Sequence, residues 1–501
     1  MGANALTNNA ATGLTAVGSG ALQSNTTGYS NAAFGYQAML ANTTGTNNAA
    51  VGYQALYSNI TGTDNTAMGT NALINNTATG LTAVGSGALQ ANTTGTNNAA
   101  VGYQALKNNT TGTDNTAMGY YALKSNTATG LTAVGSGTLQ ANTTGTNNAA
   151  IGYMALNTNI AGTDNTAMGS GALKSNTTSG NTAVGSFALP FNTTGFGNAA
   201  VGVAALFNNT TGGNNVAVGA YALNANTTGT DNTAMGYYTL KNNTATGITA
   251  VGSGALQSNT TGTNNAAVGY QALQANTTGT NNAAVGYLAL NSNIIGTDNT
   301  AMGANALKSN AATGITAVGS GALQANTIGT NNAAIGYMAL NTNTNGINNV
   351  AFGNQALQAN TAGANNAAVG TNALKSNTAN GNSAVGSGAL QANTTGTSNA
   401  AVGYLALNTN IIGTNNTAMG TNALKSNTAN GNSAVGSGAL QANTIGTNNA
   451  AVGYQALYAN VTSTDNTAMG TNALKSNTAS GNSAVGSGAL QANTSGASNA
   501  A

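Results

Sequence analysis

The chain has no cysteine, histidine, tryptophan, arginine or glutamate, and it holds one proline in 501 residues. Without cysteine there is neither a disulfide framework nor a thiol nucleophile. Without histidine there is no imidazole base and no nitrogen ligand for a metal. Charge is scarce too: 8 Lys and 6 Asp make 3% of the chain and a net +2, against roughly 25% charged residues in a typical globular domain. Eight scattered ammonium groups do not make a stripe that tracks phosphates, so no nucleic-acid partner is expected. No run of 18 apolar residues exists, so no membrane span is expected. The N-terminus lacks the charged start, apolar stretch and small-residue cleavage site of an export signal.

What is abundant is glycine, 70 residues, with Asn, Thr and Ala, arranged in a repeat of 17 residues that is sometimes 16. One unit is Asn98 to Asp114, NAAVGYQALKNNTTGTD, and the next, Asn115 to Gly130, is one residue shorter. Short units begin at 65, 115, 165, 232, 299, 366, 416 and 466, and the register never slips. Numbering the places of a unit from its first residue, place 3 is always Ala (Ala16, Ala33, Ala50), place 5 always Gly (Gly18, Gly35, Gly52) and place 12 always Asn (Asn25, Asn42, Asn59, Asn76, Asn92, Asn109). Met1-Gly2 falls in places 4 and 5, and the last residues, Asn499-Ala500-Ala501, begin another unit. Residues 1–501 therefore read as a single uninterrupted array, a window of a longer one in which caps, anchor or tip lie outside.

Places 1 to 9 carry no sustained apolar stripe of helical period and include a Gly, whereas places 10 to 17 are an Asn, Thr, Ser and Gly cluster of turn type. The expected fold class is all-β, a parallel β-solenoid or β-roll of about 30 coils. At about 3.3 Å per residue one unit makes a circuit of roughly 55 Å, enough for a flattened coil of two or three short strands. Thirty coils spaced ~4.8 Å apart give a rod of about 140 Å. Like residues then stack on like. The Asn column is expected to form an amide ladder, and the Gly column to mark a bulge or a close backbone approach. Place 4 (Val17, Val51, Met68) and place 9 (Leu22, Leu56, Leu73) are expected to fill the core. The Ala column, on the opposite strand face from place 4, is expected to line a contact between chains or a second narrow core.

Catalysis finds little to work with. The titratable groups are Asp, Lys and Tyr, with Asp and Lys commonly ten residues apart, and six Asp spread over this length do not supply a calcium-binding turn. Gly18-Ser-Gly20 lacks the strand, helix and downstream acid of a dinucleotide loop. No enzyme activity, cofactor or metal is expected. Asn-x-Thr triplets such as Asn25-Thr26-Thr27 match glycosylation acceptors, but Asn and Thr are also good turn and ladder residues. Thr44-Gly45-Thr46 and its equivalents raise the alternative of an ice-binding face, against which the intervening Gly and the short units count.

The run N-[TA]-A-[VMI]-G-x-x-A-L, at Asn65 to Leu73 and Asn449 to Leu457, resembles the head repeats of trimeric autotransporter adhesins. It is also similar to the Asn-Gly-Ala repeats of proteins related to phage tail fibres. The resemblance covers the whole chain, although its units are longer than the adhesin repeat and neither a coiled-coil stalk nor a membrane barrel accompanies them. It implies an extracellular or cell-surface structural fibre, adhesive or matrix-building, that associates with itself as a homotrimer or in lateral bundles. Any host or surface ligand is left unidentified. The alternative is the shaft of a phage-type fibre.

Overall fold

The computed structural model describes residues 2–501, which fall into two compact units, 2–249 and 250–501. Each unit is a parallel β-solenoid. In the first, strands of three residues run from Thr15–Val17 and Ala32–Phe34 to Thr233–Met235; in the second, from Ala266–Val268 to Ser483–Val485. There is one strand per coil, at places 2 to 4, and it pairs in register with the next coil: Ala50 lies beside Ala67 and Val51 beside Met68. The same holds across a short coil, where Ala67 pairs with Ala83.

The coil thus has one strand where two or three were expected, because left-handed residues interrupt the extended chain three times per circuit. These sit at places 7, 9 and 17, for example Gln54 (φ 53°), Leu56 (φ 52°) and Asp64 (φ 58°). Asn, Asp and Gly tolerate this region; Leu does so at a cost, which a fully enclosed side chain offsets. Inter-coil bonding nonetheless continues round the corners. Leu56 N donates to Ala72 O at 3.0 Å, Ser58 N to Ile74 O at 2.9 Å and Thr43 N to Ile60 O at 3.0 Å, while Gln54 N donates back to Tyr36 O at 3.0 Å. The buried backbone polar groups of a coil thereby find partners in its neighbours.

The interior is lined by Ala at place 3, a second Ala column at place 8, Leu at place 9, and Asn at places 1 and 12. Leu22, Leu56 and Leu73 are fully enclosed, as are Ala33 and Ala50, with Ala16 nearly so. Place 4 departs from expectation. Val17, Val51 and Met68 point outward, 42 to 49% exposed, and are not core residues. Alternation along the strand puts places 3 and 4 on opposite faces. A coil this narrow, already holding Leu at place 9, has room on its inward face only for a methyl. The Ala column is accordingly interior and not a contact between chains, and the outer face carries the large aliphatics.

Gly at place 5 closes the strand. Gly52 has φ 138°, and a Cβ added there would stand 2.5 Å from Gly69 O of the next coil. Gly18 and Gly35 face the carbonyl of the following Gly in the same way. Neither the dihedral nor the space admits a side chain.

Candidate functional site

The place-12 side chains form an amide ladder. Asn42 Nδ2 donates to Asn25 Oδ1 at 2.7 Å and to Gly45 O at 3.0 Å. Asn59 does the same to Asn42 Oδ1 and Gly62 O, both at 2.9 Å, and Asn92 and Asn109 repeat the pattern at 2.9 to 3.1 Å. Each amide uses one hydrogen along the stack and the other to hold its own turn. An amide can do both at once because it carries two donors and an acceptor.

A parallel ladder at place 1 was not anticipated. Asn48 N donates to Asn31 Oδ1 of the preceding coil at 2.9 Å, and Asn48 Nδ2 donates to Gly62 O, in the turn that ends its own coil, at 2.8 Å. Its signal was legible: place 1 is Asn throughout most of the array, with Leu81, Leu131, Ile248 and Ile315 each following a short coil. The place-8 column was legible too, being Ala with two Thr exceptions. Of these, Thr138 is accommodated because its Oγ1 donates to Gly152 O at 2.6 Å.

The short coils absorb their missing residue in the turn after place 12. Asn59 reaches the carbonyl three residues on, at Gly62, whereas Asn76 reaches Ala78, two residues on, at 2.9 Å. The adjustment stretches the ladder. Asn76 to Asn59 is 3.2 Å, Asn126 to Asn109 3.4 Å and Asn310 to Asn293 3.5 Å. At Asn159, Asn360, Asn410 and Asn460, each just before a short coil, the buried Oδ1 has no hydrogen-bond partner.

The enclosure of place 12 bears on the glycosylation triplets. Asn25, Asn42, Asn92 and Asn109 are fully buried and have their amide hydrogens engaged, so a glycan cannot be seated on them in the folded coil. Triplets one residue earlier, at Asn75 and Asn108, present an exposed Asn. The turn threonines are also engaged: Thr26, Thr43 and Thr93 donate Oγ1 to the carbonyl of the next coil at 3.0 to 3.1 Å.

Outside, two columns stand out. The first is the place-4 aliphatic face, Val101, Met118, Ile151 and Met168 in the first unit and Val285, Met302, Ile335 and Phe352 in the second, all 37 to 47% exposed. The second is the place-6 column, beyond the Gly corner, where tyrosine alternates with Ser, Thr, Ala, Val and Asn. Two tyrosine clusters that join place 6 to place 7 are closed by a cation: Lys124 Nζ lies 4.3 Å from the Tyr121 ring centre and Lys241 Nζ 4.6 Å from that of Tyr238. A hydrogen bond with Tyr121 raises the pKa of the Tyr120 phenol, with smaller upward contributions from partial desolvation and from the charge on neighbouring phenols. Tyr237 is raised in the same manner by Tyr238. One irregular stretch, Phe187 to Phe207, gathers four of the six Phe and the single Pro. Beside it Tyr153, Met154, Ser170, Gly171, Lys174 and Phe187 line a shallow depression.

Among the described residues no three His, Cys, Asp or Glu side chains gather as a metal cluster would require, and no helix is long and apolar enough to cross a membrane. Asp114 is spent on its own coil and the one before it, accepting from Thr113 Oγ1 and Asn97 Nδ2, both at 3.1 Å. No family model matches the chain, and no curated protein matches it.

Proposed function

We propose that this is a structural fibre protein, working at the cell surface or outside the cell, whose solenoid units associate with further copies of the same chain through the outward strand face. The observation that carries this reading is the place-4 column. With ten of the fourteen place-4 side chains of the first unit more than a third open, the column exposes on the order of 50 Å² of apolar surface per coil by the area equivalence of aliphatic burial. Over the fourteen strands from Thr15–Val17 to Thr233–Met235 that sums to about 700 Å², close to the ~800 Å² that each partner contributes to a standard interface. Monomeric proteins seldom leave so large a continuous patch open.

A second copy is the occupant that fits best. The face carries one aliphatic group per coil and almost no charge, so its complement needs the same axial repeat, and this chain has it. A fibre also fits the chemistry spent inside: two amide ladders and a Gly corner hold each coil to the next, and none of that machinery is directed at a ligand. The absence of thiols and arginine and the rarity of lysine suit a protein exposed to oxidants and trypsin-like proteases. Adhesion to a surface and the shaft of a phage-type fibre are both uses of such a fibre.

The test is a charged face. Replacing Val51, Met68, Val101 and Met118 by Glu alters only half-open positions, so the melting curve and circular dichroism are expected to stay near wild type. Sedimentation equilibrium is expected to move from an oligomer for the native chain to a monomer for the variant. A native chain that is monomeric at every concentration tested would refute the reading.

A further inference from the structure

The place-6 column holds eleven tyrosines, and in three places two successive coils both carry one. Tyr36 and Tyr53 stack with ring centres 5.4 Å apart and planes 12° from parallel. Tyr103 and Tyr120 stand 5.4 Å apart at 14°, and Tyr270 and Tyr287 5.5 Å apart at 10°. All six rings are about half exposed. Tyr153, Tyr337, Tyr404 and Tyr454 occupy the same place with similar exposure, but the coils on either side of them carry Ser, Thr or Asn at place 6. The eleventh, Tyr237, abuts Tyr238 at 3.9 Å, and Tyr120 also abuts Tyr121 at 4.0 Å, so paired and single phenols differ in little besides the stacked neighbour at Tyr36–Tyr53 and Tyr270–Tyr287.

We propose that the three stacked pairs are sites of oxidative cross-linking, each becoming a dityrosine that staples one coil to the next. The oxidant is hydrogen peroxide acting through a haem peroxidase. Each phenol gives up its hydroxyl hydrogen, one electron and one proton, to form a phenoxyl radical. The two radicals join through the ring carbons ortho to oxygen, forming one C–C bond. The hydrogens on those carbons then move to the oxygens as the rings regain aromaticity. Two hydrogen atoms leave per bond; they reduce one peroxide, whose O–O bond breaks to give two waters. Parallel rings held within 5.5 Å replace a bimolecular encounter by an intramolecular one, the circumstance in which effective concentrations become very large. Because the rings are half exposed, rotation about their side-chain bonds brings the ortho carbons together without disturbing the enclosed place-8 and place-9 residues beneath.

The experiment treats a mixture of unlabelled and uniformly 15N-labelled full-length chain with peroxidase and hydrogen peroxide, then maps cross-linked peptides by mass spectrometry. The expected products are Tyr36–Tyr53, Tyr103–Tyr120 and Tyr270–Tyr287, each lighter by two hydrogens and free of mixed-isotope forms. Their yield per tyrosine is expected to exceed that at the four single positions by about tenfold or more. Tyr53→Phe, Tyr120→Phe and Tyr287→Phe, at exposed positions the fold does not depend on, are each expected to abolish one product and leave the other two. Equal yields at paired and single tyrosines, products that are chiefly mixed-isotope, or no dityrosine at all would each overturn the assignment. None of these outcomes bears on the place-4 face, which contains no tyrosine.

Discussion

Replacing Gly52 by Val is expected to open the solenoid locally, lowering the stability of the coils around Val51 and Met68 by about 2–6 kcal/mol. Two terms contribute. A β-branched residue held at φ 138° costs roughly 1–3 kcal/mol in backbone strain. Its Cβ would also meet Gly69 O at 2.5 Å, and relieving that overlap by separating coils adds about 1–3 kcal/mol. Because each coil contacts mainly its neighbours, the damage should concentrate there. Hydrogen exchange of Gly52, Gln54 and Leu56 amides, all bonded between coils, reads it directly. Gly247→Ala is the control. Gly247 also has a positive φ, +70°, but a Cβ there meets nothing within 4 Å, so a loss of only about 1 kcal/mol is expected. Equal effects at the two positions would mean that dihedral strain, and not coil spacing, governs the Gly column.

Asn92→Asp is expected to be as damaging at neutral pH, by about 3–5 kcal/mol, and to recover in acid. The carboxylate keeps an acceptor for Asn109 Nδ2 but loses both donors, leaving Gly95 O without its side-chain donor and Asn76 Oδ1 with only the Ala78 N hydrogen. Orphaned buried acceptors cost about 1–3 kcal/mol each, more where a charge is enclosed with them. Burial without a cation raises the carboxyl pKa above its unfolded value of about 3.9. The folded state then holds the proton more tightly, so the variant's stability falls as pH rises through the raised pKa and is regained as pH drops towards 4. Urea unfolding between pH 3 and 7 checks the sign. Asn415→Asp, at the exposed place 17 that Asp64 and Asp114 already occupy, is expected to be silent throughout. A pH-independent loss at Asn92 would count against the buried-charge account.

Much of this fold was legible in the residues. A fixed Asn at place 12 and Gly at place 5 announce stacking of like on like, and the structure shows what each column does. What the strand's alternation could not say is which face turns inward. That choice is made by the corners. Leu56 in the left-handed region bends the chain so that its own side chain occupies the interior and leaves the facing strand room only for Ala50. Nothing in a leucine's ordinary preferences signals that conformation, so Val51 and Met68 read as core from their hydrophobicity alone. The outward aliphatic face, the surface with most to say about partners, was accordingly hidden until the corners were seen.

The stretched or missing amide bonds at the short coils have a mechanical meaning. Within each unit they divide the Asn column into parcels of three or four coils, each continuous inside and weakly tied to the next. A tear started by heat, force or a protease would run quickly through a parcel and stall at its edge, where propagation no longer gains from the next amide. The missing residue of every short coil thus works as a crack arrester, confining damage to a few turns of the winding.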